Sequence, residues 1–256
     1  MILAVDIGNS NIVFGIFDEH RLLFTARAKT DALKSEWEYA VLINEMMMLH
    51  KIDRSSLEGG AISCVVPALT SVMADAIKTL RDVPIVTVGP GVKTGLNIRI
   101  DEPASTGADL VCTSVGAIAA YPLPAMVIDL GTATKLTVIA TDKSFIGGAI
   151  VPGVTVSLQA LSRSAAQLPH IGLDSRIKVM GTNTIDCMMS GSILGTASMI
   201  DGMIVRFRES LGYDLVSIIA CGGLVNAVIP HCRTPIIIDN ALLLNGLISI
   251  YRRNIT

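Results

Sequence analysis

The chain alternates short, continuously apolar runs, each stopped by glycine, proline or a charged residue, with longer stretches whose apolar residues return at helical spacing. Three runs come first, Ile2 to Val5, Ile12 to Phe17 and Leu22 to Ala26. They read as successive strands, the last two joined by the polar turn Asp18-Glu19-His20-Arg21. Ser35 is placed as the N-cap of a helix reaching His50, with Trp37, Ala40, Val41, Ile43, Asn44, Met47 and Met48 near helical spacing and the methionines as core filler. Ala61 to Val66, stopped by Pro67, predicts a buried parallel strand. A helix over 68–80 and a strand over 84–88 follow, a β-α-β alternation whose connection is expected to be right-handed. Residues 89–103 are rich in glycine, proline and charge and predict a loop of active-site type. A helix opens at Ser105-Thr106-Gly107-Ala108-Asp109 and runs to Tyr121. Pro122 and Pro124 end it and set the expected boundary between domains 1–121 and 122–256.

The second half repeats the plan. Strands are expected at Met126 to Asp129, Leu136 to Thr141 and Phe145 to Val151, then a helix from Val154 to Ser164. Long helical character spans Thr182 to Leu211, with Gly191, Gly195 and Gly202 expected to allow close backbone contact. Strands Val216 to Ala220 and Pro235 to Ile238 precede a C-terminal helix reaching Arg253. Three strands followed by alternating helices and strands, twice over, are an architectural repeat within an α/β fold.

The repeat carries a second one inside it. Val5-Asp6-Ile7-Gly8-Asn9-Ser10-Asn11 matches Ile128-Asp129-Leu130-Gly131-Thr132-Ala133-Thr134, each copy lying between two apolar runs as strand, tight turn, strand. An aspartate at a strand end beside a glycine turn can hold a metal ion or its waters, and the turn's N–H groups and hydroxyls can meet phosphate oxygens. One copy alone reads more readily as a hairpin turn; two matching copies favour a two-lobed phosphate clamp. Asp6 would then hold Mg2+ through water, with phosphates on Gly8 to Asn11 and Gly131 to Thr134. Asp109 fits two roles: a first-turn carboxylate that stabilises its helix dipole, or the general base that takes an acceptor hydroxyl's proton. Asp101 and Glu102 compete for the second role. Gly147-Gly148 to Gly153 and Gly222-Gly223 are either tight turns or places where substrate or phosphate approaches the backbone.

Composition removes other classes. The 256 residues suit one to two domains, and with 51% apolar and 16% charged residues a large core is available. A net charge of −2 provides no footprint for nucleic acid or an anionic membrane. No apolar stretch reaches the ~18 residues that span a bilayer, and Met1 to Val5 has no basic flank, so no membrane partner and a cytoplasmic location are expected. The five cysteines (Cys64, Cys112, Cys187, Cys221, Cys232) contain no C-x-x-C pair and predict reduced, mostly buried thiols; the four histidines are isolated. Neither a Walker A sequence nor a dinucleotide G-x-G-x-x-G is present.

Taken in order, Asp6 to Asn11, Gly107-Ala108-Asp109, Asp129 to Thr134, Gly147 to Gly153, Ala166-Gln167-Leu168-Pro169, Ser190-Gly191, Gly195 and Asp201-Gly202 resemble the type III pantothenate kinases. The resemblance covers nearly the whole chain. It implies two duplicated ribonuclease H-like lobes of the actin and sugar-kinase superfamily with a cleft between them. It also implies ATP-dependent phosphorylation of pantothenate to 4'-phosphopantothenate, the entry to coenzyme A. The cofactors implied are ATP, Mg2+ and a monovalent cation, K+ or NH4+, at Asp129. A homodimer whose interface completes the pocket is expected, with Thr184 reaching the neighbouring subunit's substrate. Asp109 matches the catalytic base, and Gly107, Ala108, Gly147 and Gly148 fall on the substrate side.

Four positions depart from the family pattern. Leu110 stands where an arginine is usual, removing a fork that clamps a carboxylate unless Arg99 or another cation substitutes. Lys135-Leu136-Thr137 follows the second turn in place of Thr, a hydrophobe and Asp. The Lys135 ammonium is expected to take the monovalent cation's place near Asp129, the alternative being a solvated strand residue. Cys221 replaces a common threonine. Two other readings stay open on these residues: a catalytically weakened paralogue that binds nucleotide or a metabolite, and a kinase for another small hydroxy compound.

Overall fold

A computed structural model describes residues 1–19, 21–165, 167–173 and 177–255. His20 of the first turn and Ala166 of the Ala166-to-Pro169 motif lie outside the described residues. In chain order the elements are β1 (Ile2–Ile7), β2 (Asn11–Asp18), β3 (Arg21–Lys29), α1 (Glu36–Leu49), β4 (Gly59–Cys64), α2 (Ala68–Leu80), β5 (Ile85–Thr87) and β6 (Asn97–Ile98). They continue with α3 (Ala108–Ala120), β7 (Ala125–Leu130), β8 (Ala133–Ile139), β9 (Ser144–Pro152), α4 (Val154–Ser164), α5 (Thr184–Leu211), β10 (Ser217–Cys221), α6 (Val225–Val228), β11 (Ile237–Ile238) and α7 (Leu242–Ile255).

The chain forms two compact units. The first holds residues 1–97, Asp101–Ala119 and the chain from Ala241 on; the second holds Ile98–Ile100 and Ala120–Asn240. This differs from a division at 1–121 and 122–256 in two places. The C-terminal helix groups with the first half, and three residues of the 89–103 loop group with the second.

In the first unit the sheet order is β3-β2-β1-β4-β5, antiparallel across β1–β2–β3 and parallel across β1–β4–β5. Alternation along β1 puts Leu3, Val5 and Ile7 on the face that α1 and α2 cover, where they meet Tyr39, Ile43, Met47, Leu69, Met73 and Ile77. Ser35 caps α1 as expected: its hydroxyl accepts the Glu38 N–H, and the Glu38 carboxylate accepts the Ser35 N–H at 2.8 Å. Trp37, Val41 and Met48 point outward instead of into the core. On the other face Ala4 pairs with Gly15, and Leu244 of α7 fills the space these small residues leave. α3 and α7 cross so closely that a Cβ at Gly246 would overlap the Cys112 carbonyl, and one at Gly116 the Leu242 carbonyl. Asn254 ties the 89–103 loop to α7, accepting from the Lys93 N–H and donating to its carbonyl, each at 3.0 Å. These contacts are why the terminal helix belongs to the first unit.

The second unit repeats the order as β9-β8-β7-β10-β11, with β6 added beside β9. Met126, Ile128, Leu130, Leu136 and Val138 pack against Met189, Ile193, Ala197, Ile200 and Ile204 of α5. Among the described residues α5 is the one helix long and apolar enough to cross a membrane, contrary to the expectation that no stretch reaches that length. A helix that lays one face on a core passes the same test. The close contacts expected at Gly191, Gly195 and Gly202 are not made: a Cβ at any of them meets nothing within 4 Å. Gly191 and Gly195 instead line an apolar groove of about 550 Å³ with Val151, Leu161, Cys187 and Met199.

Candidate active site

Asp6 lies near the end of β1, where the sheet register pairs it with Val13 on β2 and Ser63 on β4. Ser63 is fully buried and its Oγ donates to Asp6 Oδ1 at 2.8 Å. The following turn is closed by the Gly8 N–H on the Asn11 carbonyl at 3.0 Å, which leaves Asn9, Ser10 and Asn11 exposed. Thr30, one residue past β3, clamps the turn from outside: its hydroxyl donates to the Gly8 carbonyl at 2.6 Å and its N–H to the Ser10 carbonyl at 3.1 Å. Neither Ser63 nor Thr30 is among the candidates the sequence singles out. Ser63 carries a signal, the one hydroxyl in the run Ala61 to Val66; Thr30 carries none.

Asp109 stands in the first turn of α3, and its Oδ1 accepts the Leu110 N–H at 2.8 Å. The same oxygen lies over Gly107, where a Cβ would approach it to 2.6 Å, so the carboxylate position requires glycine there. Ala108 and Leu110 are half-buried beside it, and Asp101 and Glu102 are exposed. One turn further on lies the buried Cys112 thiol. Burial and then the charge of Asp6 push this thiol well above its usual range, a hydrogen bond with Ser63 opposes them, and the charge of Asp109 adds to the upward push. Asp6 and Asp109, far apart in sequence, thus both act electrostatically on one thiol.

In the second unit the hairpin register sets Asp129 opposite Lys135. Lys135 Nζ lies 2.7 Å from Asp129 Oδ2, and the two side chains are only 14% and 15% exposed. The turn Gly131 to Thr134 is held between two glycines. Gly153 donates its N–H to the Thr132 carbonyl at 3.0 Å. Gly222 has φ +104°, and a Cβ there would collide with the Leu130 carbonyl and Asp129 Oδ1. Gly131 and Ala133 are half-buried and Thr132 is exposed. Thr134 is fully buried, and its hydroxyl has no hydrogen-bond partner among the described residues. Gly223 is exposed, and the helix it precedes, α6, is a single turn, too short for its N-terminus to act as an anion site. Gly148 lies flat on β8, where a Cβ would overlap the Leu136 carbonyl, while Gly147, at φ +129°, is open. Thr184, the first residue of α5, is exposed beside the capping Asn183. Arg99, the candidate replacement for an arginine at position 110, is paired with Asp142 at 3.1 Å.

The donor chemistry separates the two expected cations. Among the described residues no three His, Cys, Asp or Glu side chains converge on a metal position. A lone carboxylate such as Asp6 suits Mg2+, which keeps most of its waters and is held by one or two carboxylates together with substrate phosphates. Asp129 is different, because a fixed ammonium already neutralises it.

Solved structures with this fold include component A of (R)-2-hydroxyglutaryl-CoA dehydratase from Acidaminococcus fermentans, at 12% identity and TM-score 0.58 over 100% of this chain and 99% of that one. Another is the inorganic polyphosphate/ATP-glucomannokinase of Arthrobacter sp. strain KM, at 16% identity and TM-score 0.51 over 99% and 98%. The duplicated sheets, each with an aspartate turn between its first two strands, are those of the fold these structures share. Residues 2–206 match the family model described as type III pantothenate kinase. A type III pantothenate kinase of Halalkalibacterium halodurans is 37% identical over 255 residues, covering 100% of both chains. The chain belongs to the type III pantothenate kinase family, and is a kinase.

Proposed function

We infer that this protein transfers the γ-phosphoryl group of ATP to the primary hydroxyl of pantothenate, giving 4'-phosphopantothenate for coenzyme A synthesis. Family membership across the full chain supports the overall reaction. The observation that carries the chemistry is the placing of Asp109 in the first turn of α3, its Oδ1 fixed by the Leu110 N–H, in the same unit as Asp6. Asp109 takes the hydroxyl proton as the pantothenate oxygen bonds to the γ-phosphorus. The bond from that phosphorus to the bridging oxygen breaks, and ADP leaves with its electron pair. In the first unit Asp6 and the exposed polar groups of the Gly8 to Asn11 turn are assigned to the phosphates of the nucleotide; in the second unit the Gly131 to Thr134 turn and Gly222-Gly223 remain assigned to ATP binding. Mg2+ that arrives with ATP supplies charge neutralisation, and Asp6 holds it through water.

At the second turn the Lys135 ammonium takes the place of a monovalent cation, a reading supported by its 2.7 Å ion pair with Asp129. Gly107, Ala108, Gly147 and Gly148 remain assigned to the pantothenate side, with Gly148 acting through the backbone of β9 alone. The working form is a homodimer to which Thr184 contributes; Ile185 and Val205, both exposed, and the open glycines of α5 offer the surface. Free thiols at all five cysteines agree with a reducing cytoplasm. The deciding experiment is a coupled assay of ADP release with and without pantothenate. Pantothenate-dependent turnover is expected; ATP binding without turnover would replace this reading with that of a binding protein.

A further inference from the structure

Ser63 Oγ donates to Asp6 Oδ1 at 2.8 Å from the adjacent strand, in a side chain with no solvent exposure. A hydroxyl has one proton, so the Ser63 proton is committed to the carboxylate. Only the sheet register brings Ser63 to this place: Asp6 pairs with Ser63, and a shift of one residue would turn the hydroxyl to the other face.

We propose that Ser63 is a positioning residue that fixes the Asp6 carboxylate in the orientation in which it meets the Mg2+ of Mg·ATP. The proposal rests on the reading of Asp6 given above. Partners that orient a metal-binding carboxylate typically change metal affinity about 10–100-fold when removed. The test uses the full chain and Mn2+ as probe, titrated by electron paramagnetic resonance in the presence of a non-hydrolysable ATP analogue. Ser63→Ala is expected to weaken Mn2+ binding by about 10–100-fold and to raise the KM for Mg·ATP, with the KM for pantothenate unmoved. Ser63→Thr, which keeps the hydroxyl, is expected to restore much of the affinity.

Parent-like Mn2+ binding by Ser63→Ala, beside an Asp6→Asn variant that has lost it, overturns the proposal and leaves the Asp6 reading standing. Parent-like binding by Asp6→Asn removes both. If Ser63→Ala does not fold, Ser63→Cys decides: it keeps the size but leaves only a weak S–H donor, and parent-like affinity in that variant overturns the proposal.

Discussion

Lys135 Nζ sits 2.7 Å from Asp129 Oδ2 across the β7–β8 hairpin, in a pair that solvent barely reaches. Removing one member of a mostly buried pair leaves the other charge uncompensated, which costs about 3–5 kcal/mol. Lys135→Ala is therefore expected to lower the unfolding free energy by about 3 kcal/mol, read by urea titration. A second outcome bears on function. Turnover by the parent should be indifferent to replacing K+ with Na+, and Lys135→Ala should become dependent on K+. A parent enzyme that requires K+ over Na+ would show that the ammonium does not stand in for the cation.

Asp109→Asn keeps the size of the side chain and an oxygen that accepts the Leu110 N–H, so the fold is expected to survive. What it loses is the ability to take a proton. The expected fall in kcat is about 10²–10⁴-fold, with the KM for ATP nearly unchanged, measured in the coupled assay. Full activity in this variant would reduce Asp109 to a helix-terminal charge.

How far these residues could be read in advance follows from the range of the forces that place them. α2 and α4 fall where the pattern puts them, 68–80 and 154–164, because Pro67 and Gly153 are local stop signals. The Lys135–Asp129 pair was also accessible, since a hairpin around Gly131 sets those positions opposite each other. Ser63 and Thr30 were not. Their bonds to Asp6 and Gly8 span 57 and 22 residues and exist only because β4 and β3 dock in one register. β6 is two residues long inside a loop rich in glycine and proline, and no periodicity can mark so short a strand. The outward turn of Trp37, Val41 and Met48 has a related cause. Glu36, Glu38, Asn44 and Glu45 are spread round α1 among its apolar residues, so sequence alone does not choose which face is buried.

Asp201, on α5, accepts the N–H groups of Arg233 and Thr234 at 2.8 and 2.9 Å. Burial pushes its carboxyl upward, but these two bonds, with the charge of Arg233, hold it below the usual value of 3.8. A depressed carboxyl stabilises the fold above the unfolded-state value and loses that contribution as pH falls through the folded value. Asp201→Asn should therefore be less stable than the parent near pH 7, by about 1 kcal/mol because the site is partly open to solvent. The difference should shrink progressively below about pH 4, where the parent's own carboxyl takes up a proton. Thermal denaturation of both proteins across pH 3 to 7 measures this, and parallel curves would contradict it.

Leu110 follows Asp109 in the first turn of α3 and offers no charge to the carboxylate of pantothenate, while Arg99 is occupied by Asp142. An arginine at 110 would add a planar fork that binds a carboxylate through two N–H donors. Charge-assisted hydrogen bonds contribute about 1.5–3 kcal/mol, so Leu110→Arg is expected to lower the KM for pantothenate by about tenfold or more. The gain is made equally in ground and transition states, which leaves kcat close to the parent's. Pantothenol, which has a hydroxymethyl group in place of the carboxylate, supplies the control: its KM should not fall. A KM for pantothenate that stays put in Leu110→Arg would mean that the carboxylate is held elsewhere. Equal improvement for pantothenol would mean that the arginine acts on another part of the molecule.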